Sequence, residues 1–176
     1  MNTTSLELNK IYELAFNALK KHGCDDFNAE SVANTVTHAE RDGSVSHGLF
    51  RIPGYIASLQ SKKVNGVSRP SNTFLTQNAI RVEGDYGFAP VAIKVGLPDL
   101  IKTTNKHGVG VLTITNTHHF AALWHETEAL AENNLIGIAC TAYKPSVAPA
   151  GAKKPLFGTN PISFAWPRKN NTPVVY

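Results

Sequence analysis

The sequence predicts a mixed α/β fold, of the α+β kind, and three observations support that prediction. Apolar residues recur at helical spacing before Pro70. After Pro70, short β-prone runs alternate with amphipathic segments. Hydrophobic residues make up 42% of the 176-residue chain and charged residues 17%, which is typical of a folded globule. We therefore expect two parts: a helical segment over residues 1–70 and a second part over residues 71–176.

Three helices are expected in the first part. Thr4 and Glu7 have the spacing of a capping box, and apolar residues follow at helical intervals as far as Gly23. A second helix is expected to start near Asn28 or Ser31 and to end at Gly43, because glycine disfavours helix continuation. Pro53 fits the first turn of a third helix, and the three predicted ranges are 4–23, 28 or 31 to 43, and 53–63.

The second part is expected to alternate strands with helices. The pattern of residues 89–107 predicts an amphipathic helix, in whose middle Gly96 and Pro98 disfavour helical structure. Residues 119–134 are predicted to form a second helix. A loop rich in Pro and Gly covers residues 143–161, and a loop of that length in a compact domain is usually either functional or disordered. The expected strands lie within residues 72–84, 108–117, 135–143, 162–167 and 172–176, and the strand within 135–143 is expected to be buried.

Composition and charge exclude several classes of function. The net charge of +4 is dispersed, with no basic run longer than a Lys-Lys pair, so no nucleic acid is expected as a partner. No apolar run approaches the roughly 18 residues that span a bilayer, so no membrane is expected either. The first residues lack the apolar core of a secretory signal. Two distant cysteines favour free thiols in a reducing compartment, so the expected location is cytoplasmic.

The stretch "SVSHGLFRIPGY" over residues 44–55 combines three chemically useful side chains. Ser46 adjoins His47, and Arg51 follows four residues later on the same face if Gly48 enters a helix. A histidine can accept or donate a proton near neutral pH, and an arginine can bind a carboxylate through two parallel hydrogen bonds. The set suits reduction or oxidation of a small acid. Spacing alone favours the alternative, a surface loop with a capping serine.

Two adjacent histidines follow the strand "GVGVLTITNT". His118 and His119 are expected to end that strand and open a helix, where free backbone N–H groups bind anions. Adding His125 and Glu126 does not reproduce a known zinc spacing, so no metal is expected. On spacing, a cofactor or phosphate contact and plain helix capping both remain open.

The segment "FGTNP" places a hydroxyl and an amide before a proline. The functional interpretation is a substrate-binding loop that includes Thr159, and the alternative is a turn in which Pro161 holds Asn160 extended. The sequence contains neither GxGxxG nor GxxxxGK[ST]. A dinucleotide, if bound, would therefore not use a Rossmann fingerprint.

In order along the chain, four stretches resemble one family: "RDGSVSHGLFRIPGY", "NTHHFAALW", "SVAPAGAKKPLFGTNPISFAWP" and "PVVY". The likeness is to the malate/L-lactate dehydrogenase family (type 2). Within it, "HHFAALW" favours the Δ1-piperideine-2-carboxylate/Δ1-pyrroline-2-carboxylate reductases, because the hydroxy-acid members more often carry HFG there. The resemblance covers essentially the whole chain.

The resemblance implies a non-Rossmann NAD(P)-binding fold of the L-sulfolactate/malate dehydrogenase type, with a mainly antiparallel or mixed sheet flanked by helices. It implies a cytoplasmic homodimer that uses NADPH, or NADH, on a small carboxylated imine or 2-oxo acid. By motif, His47 would donate the proton and Ser46 would be its relay partner. Arg51 would hold the substrate carboxylate and Thr159 would contact substrate. The cofactor contacts would be His118, His119, Phe120, Ala121 and Ala122.

Members of this family are about twice as long as this chain. After the strand matching "PVVY" they continue into D-L-A-T-S, whose Asp completes the relay, and later into a glycine-rich GGHKG segment. The resemblance therefore implies an N-terminal half, with residues 71–176 as an incomplete catalytic domain and little activity in isolation. Two alternatives are an NAD(P)-dependent 2-hydroxy-acid dehydrogenase and a catalytically dead assembly fragment.

Overall fold

Residues 4–176 are described by the computed structural model, and they form two compact units. The first unit ends at Ala122 and the second begins at Leu123. The mixed α/β class is as predicted from the sequence. Within residues 4–176, no helix has the length and the apolar composition that crossing a membrane requires.

The first unit contains four α-helices, two 3₁₀ turns and one three-stranded sheet. Its helices are α1 (Leu8–Lys21), α2 (Asp26–Arg41), α3 (Ile52–Gln60) and α4 (Ala89–His107). Its strands are β1 (Ser71–Phe74), β2 (Ala79–Glu83) and β3 (Val111–Thr115). The strand order is β1-β2-β3, with β1 antiparallel and β3 parallel to β2.

Helices α1 to α3 bury one apolar face each in a common core. In α1 the buried residues are Ile11, Ala15 and Leu19, at the four-residue spacing that places side chains above one another, and Ala15 and Leu19 belong to this core. Phe88, just before α4, is 1% exposed and belongs to the same core. The remaining fully or nearly buried members of this core are Cys24, Ala29, Val32, Ala33, Val36, Ile52, Tyr55, Leu59, Val64 and Val91.

The starts of the first two helices differ from the sequence-based expectation. Helix α1 begins at Leu8, and its N-cap Glu7 makes no side-chain capping bond, so the Thr4–Glu7 capping box is wrong. Helix α2 begins at Asp26, before the expected Asn28 or Ser31, because Asp25 caps it: its carboxylate accepts the Asn28 N–H at 3.0 Å.

Helix α4 has the predicted bounds, and it passes through Pro98 without ending. Gly96 is needed at the contact with the sheet. A Cβ there would approach Val82 Cγ2 to 2.6 Å and Leu112 to 3.0 Å, so only glycine lets the helix pack this closely on β2 and β3. Gly96, which was expected to disfavour the middle of the helix, is thus the residue at which the helix packs against the sheet.

The second unit is one helix on a three-stranded antiparallel sheet. Its elements are α5 (Trp124–Glu132), β4 (Gly137–Cys140), β5 (Ile162–Arg168) and β6 (Asn171–Val175), with strand order β4-β5-β6. The Thr127 and Ser163 hydroxyls are 2.8 Å apart and link α5 to the inner face of β5. The strand expected at residues 135–143 is present, but Ile138 at its centre is 70% exposed, so it is not a buried strand.

Candidate active site

The stretch that carries Ser46, His47 and Arg51 forms two consecutive 3₁₀ turns rather than one α-helix. The turns are Val45–His47 and Leu49–Arg51, and Gly48 joins them. They lie between the end of α2 and the start of α3. Helix α3 then positions the side chains that follow Arg51 in sequence.

His47 is half-buried and is held by serine hydroxyls. Its Nδ1 lies 2.9 Å from Ser46 Oγ and 3.5 Å from Ser44 Oγ. Burial lowers the pKa of His47 below its ordinary value, and the nearby positive charge of Arg51 lowers it further. The neutral imidazole therefore predominates at pH 7. The Ser46–His47 pair foreseen from the sequence is present as a direct hydrogen bond.

Arg51 has a buried donor without a partner. Its Nε has no hydrogen-bond partner among the residues that the structure describes. A buried polar group that lacks a partner carries a free-energy penalty. A guanidinium with an unpaired Nε–H can bind an anion that supplies the missing acceptor. A carboxylate fits best, because its two oxygens match the paired N–H groups of the guanidinium.

His119 is a neutral base whose tautomer follows from its partners. Its Nδ1 lies 3.2 Å from the backbone nitrogen of Ala121 and 3.1 Å from the hydroxyl of Tyr55. The backbone N–H can only donate, so Nδ1 accepts and the ring proton lies on Nε2. Burial lowers the pKa of His119 to about 4, with smaller contributions from Arg51, His118 and His47.

His118 is held through both its side chain and its backbone. Ser58 Oγ donates to the carbonyl of Gly54 at 2.9 Å, so it accepts from His118 Nε2 at 3.2 Å. The backbone N–H of His118 donates to the carbonyl of Gly87 at 2.8 Å. Burial, and to a lesser extent Lys63, lowers the pKa of His118.

The expectation that His118 and His119 open a helix is wrong. The helix begins at Trp124, and residues 119–122 are irregular, with His119 at a φ of +51°. The physical reason is that the His118 carbonyl, which would accept the first hydrogen bond of such a helix, accepts the Ala89 N–H at 3.0 Å instead, while the His118 N–H donates to Gly87 and extends the pairing of the sheet region by one bridge. An anion site at a helix N-terminus therefore does not exist at this position.

Aromatic rings join these side chains into one cluster. The ring centroids of His47 and His119 lie 6.4 Å apart, and those of Tyr55 and His119 lie 5.6 Å apart. The ring centroid of Phe88 lies 5.0 Å from that of Tyr55 and 6.0 Å from that of His118, and both pairs are edge to face. The fold thus brings two motifs that are about seventy residues apart in sequence into one basic, partly buried site.

The remaining predicted residues occupy different surroundings. Phe120 and Ala121 are half-buried and Ala122 is buried, at the end of the first unit. Thr159 lies in the loop of the second unit, where it is exposed. Its neighbour Asn160 has a φ of +42°, and its Oδ1 accepts the N–H of Tyr143 at 3.0 Å, so the extended conformation expected before Pro161 is wrong.

Sequence reasoning missed two residues of the cluster, Tyr55 and Ser58, which hold His119 and His118. A signal for them was available. Tyr55 follows Arg51 by four residues and Ser58 follows Tyr55 by three, a spacing that places all three on one side of a helix. Among the residues that the structure describes, no cluster of three or more His, Cys, Asp or Glu side chains is placed to hold an ion.

The neutral state of His119 predicts that the first unit is sensitive to acid. The unfolded histidine has a pKa near 6.5, whereas the folded one has a pKa of about 4. Between these values the unfolded chain binds the extra proton, so stability is full above about pH 6.5 and is lost as pH falls toward 4. We expect a loss of about 1–2 kcal/mol, after allowing for the partial exposure of the ring.

The matched test compares the wild type with His119→Asn, since asparagine tolerates positive φ. Urea unfolding at pH 7.5 and pH 4.5 should show a smaller loss of stability in the variant. Taking the difference between the two proteins is necessary because burial raises the pKa of Glu126 in the second unit to about 7. That shift has the opposite sign and lowers stability as pH rises from about 4.5 to 7. An equal loss in both proteins would contradict the role given to His119.

Comparisons with known proteins identify the family of this chain. The family model "Malate/L-lactate dehydrogenase" matches residues 6–176. A curated relative, Delta(1)-pyrroline-2-carboxylate reductase 2 of Burkholderia multivorans, is 39% identical over 171 residues, which are 97% of this chain and 50% of the relative. This chain thus spans about half the length of the curated relatives it matches.

Solved structures of the family have the same fold. The delta1-piperideine-2-carboxylate reductase of Pseudomonas syringae pvar. tomato superposes with a TM-score of 0.92 at 38% identity, over 99% of this chain and 52% of that one. The sulfolactate dehydrogenase of Methanocaldococcus jannaschii superposes with a TM-score of 0.89 at 29% identity, over 97% of this chain and 49% of that one. The fold type implied by the resemblance is confirmed, and the chain belongs to the malate/L-lactate dehydrogenase family.

Proposed function

We propose that this chain carries the substrate-binding and proton-donating part of an NAD(P)H-dependent reductase of cyclic imino acids. The reactions are Δ1-piperideine-2-carboxylate to L-pipecolate and Δ1-pyrroline-2-carboxylate to L-proline. The single observation that best supports this is the arrangement of the Ser46–His47 pair beside Arg51, whose Nε is buried and unpartnered. The names of the relatives supply the substrate class.

Arg51 is proposed to bind the substrate carboxylate. A carboxylate would give the buried Nε–H the acceptor it lacks and would offset the positive charge that now lowers the pKa of His47 and His119. Binding of an anion at Arg51 should therefore raise the pKa of both histidines. In this way substrate binding would move His47 toward the protonated form that the reaction uses.

His47 is proposed to donate the proton that the ring nitrogen of the imine takes up when C2 is reduced. The Ser46 hydroxyl, at 2.9 Å from Nδ1, fixes the imidazole orientation. Because the pKa of His47 lies below its ordinary value, its protonated form is a stronger acid than a free imidazolium. Activity limited by this donor should fall as pH rises through the pKa of His47.

The segment His118–Ala122 is proposed to hold NADPH, with NADH as the alternative. The hydrogen-bond donors of this segment fit a dinucleotide, whose phosphate and amide oxygens are acceptors. Among the described residues, the N–H groups of Phe120 and Ala122 make no hydrogen bond to another backbone group, and His119 carries its proton on Nε2. When bound, the reduced nicotinamide supplies the hydride for C2.

We further propose that Thr159 contacts the substrate and that the protein works as a cytoplasmic homodimer.

A second enzymatic candidate is a 2-hydroxy-acid dehydrogenase. The sulfolactate dehydrogenase with the same fold supports it, because that protein's name denotes an acid with a hydroxyl group next to its carboxylate. The same Arg51 and His47 could bind a 2-oxo acid and protonate its carbonyl oxygen. The two candidates differ only in the atom, nitrogen or oxygen, that takes the proton.

A candidate of another class is an assembly fragment without activity. The outer face of the β4-β5-β6 sheet supports it, because this face is apolar and open. Its side chains include Ile138, Ile162, Trp166, Val174 and Tyr176, which are 70%, 69%, 51%, 46% and 89% exposed. An apolar patch of this kind marks a contact with another polypeptide.

A chimaera separates the three candidates. Residues 1–176 would replace the matching half of the Pseudomonas syringae reductase, and NADPH oxidation would be followed with Δ1-piperideine-2-carboxylate, Δ1-pyrroline-2-carboxylate, pyruvate and oxaloacetate. Reduction of the cyclic imines is expected. Preference for the 2-oxo acids would establish the dehydrogenase alternative. A folded chimaera that reduces none of them would favour the assembly fragment.

A further inference from the structure

We infer that Glu40 is a positioning residue that fixes His47 relative to Arg51. This inference deepens the proposed function and rests on it. Glu40 lies in the last turn of α2, outside the stretch that carries the candidate catalytic side chains. Its Oε1 accepts the backbone N–H of Leu49 at 2.7 Å. Leu49 is the first residue of the second 3₁₀ turn, which ends at Arg51.

Gly48 shows how closely the Glu40 carboxylate approaches this link. A Cβ at position 48 would overlap Oε1, Cδ and Cγ of Glu40. The carboxylate therefore occupies the space where every other residue type would carry its side chain. His47 lies immediately before Gly48, and Leu49 immediately after it. The Glu40 side chain therefore packs against the residue that joins the two turns.

The geometry at Leu49 explains why an acceptor is required there. The first N–H groups of a helical turn have no partner within the turn. Glu40 supplies the partner from α2, a helix whose buried residues Val32, Val36 and Ala39 are anchored in the core. The hydrogen bond from Leu49 to Glu40 thus fixes the position of the second turn relative to α2. Because Arg51 ends this turn, the same bond fixes the direction of the Arg51 side chain.

Glu40 acts through the backbone and not through its charge on His47. The causes of the lowered pKa of His47 are burial and Arg51, and Glu40 is not among them. Replacement by glutamine keeps an oxygen that can accept from Leu49, whereas replacement by alanine removes it. The two substitutions therefore distinguish an acceptor from a negative charge.

The first test follows the imidazole signals of the histidines by NMR in the wild type, Glu40→Ala, Glu40→Gln and Glu30→Ala. Glu30 lies on the same helix and pairs with Lys94 at the surface, so it controls for the loss of any glutamate from α2. We expect Glu40→Ala to shift the signals of His47 and to leave those of His118 in place, since Ser58 holds the latter independently. Glu40→Gln and Glu30→Ala should resemble the wild type.

The second test measures binding of pyrrole-2-carboxylate, a flat analogue of the proposed imine substrates. Glu40→Ala should weaken it by roughly tenfold or more, the order expected when a hydrogen bond to a charged group is lost, and Glu40→Gln by no more than about threefold. If the wild type binds no pyrrole-2-carboxylate, the proposed function fails, while the shifts of His47 still decide the role of Glu40.

Three results would overturn the inference. One is an unchanged His47 signal in Glu40→Ala. Another is an equal disturbance of His47 and His118, which would show a general loss of structure. The third is a Glu40→Gln variant that behaves like Glu40→Ala, which would show that the charge matters. Should Glu40→Ala fail to fold, Gly48→Ala gives the same answer, because its added methyl group would displace the Glu40 side chain.

Discussion

Replacing His47 by asparagine is expected to lower the kcat of the chimaera on Δ1-piperideine-2-carboxylate by about 10²- to 10⁴-fold, the usual contribution of a general acid. Asparagine can still hydrogen-bond with Ser46 but cannot deliver a proton near neutral pH. The KM should change much less, because Arg51, not His47, is proposed to hold the substrate carboxylate.

The control for this substitution is His107→Asn, at the exposed end of α4. It should leave both kcat and KM within about twofold of the parent, as expected for a surface position. Steady-state rates from pH 5 to pH 9 supply a further check. The parent should lose activity as pH rises through the pKa of His47, and the residual activity of His47→Asn should lack that limb. A His47→Asn enzyme with the parental kcat would remove His47 from the mechanism.

Replacing Arg51 by glutamine is expected to have two effects of different kinds. The KM for the imino acid should rise by about 100-fold, since a charge-assisted, bidentate contact to the carboxylate is lost. In the free protein, the pKa of His47 and that of His119 should both rise, because Arg51 lowers each of them. Both should remain below the ordinary histidine value, since burial is the larger cause in each case.

NMR titration of the histidine ring protons measures the second effect without any substrate. Arg81→Gln is the matched control, because Arg81 is exposed on β2 in the same unit. It should move neither pKa. If Arg51→Gln left both pKa values unchanged, or lowered them, the electrostatic coupling within the cluster would be wrong.

Local patterns predicted the elements well where a single rule decides the structure. Helix α4 follows from its amphipathic spacing, and residues 71–83 follow from β-prone runs around a polar break. The predictions were wrong where one particular hydrogen bond decides, either a local cap or a contact with a distant residue. Asp25 moves the start of α2, and Gly87 holds His118 in the sheet region, so the expected helix opens only at Trp124.

The candidate site likewise contains residues that the sequence predicted and contacts that only the fold reveals. The family motifs supplied Ser46, His47 and Arg51, and the structure shows the Ser46–His47 bond directly. Spacing within "SVSHGLFRIPGY" could not place His119 beside His47, because that contact depends on how α3 packs against Phe88. Nor could it reveal the unpartnered Nε of Arg51, which is a property of the folded surroundings and not of the sequence.

The most direct measurement is a titration of this chain with pyrrole-2-carboxylate, observed through the imidazole signals of His47. A carboxylate held by Arg51 should shift these signals saturably and raise the pKa of His47. Arg51→Gln should abolish the effect, and Arg81→Gln should preserve it. An unshifted His47 in the wild type, or an equal response in Arg51→Gln, would contradict the proposal that Ser46, His47 and Arg51 form a binding site for a small carboxylated substrate.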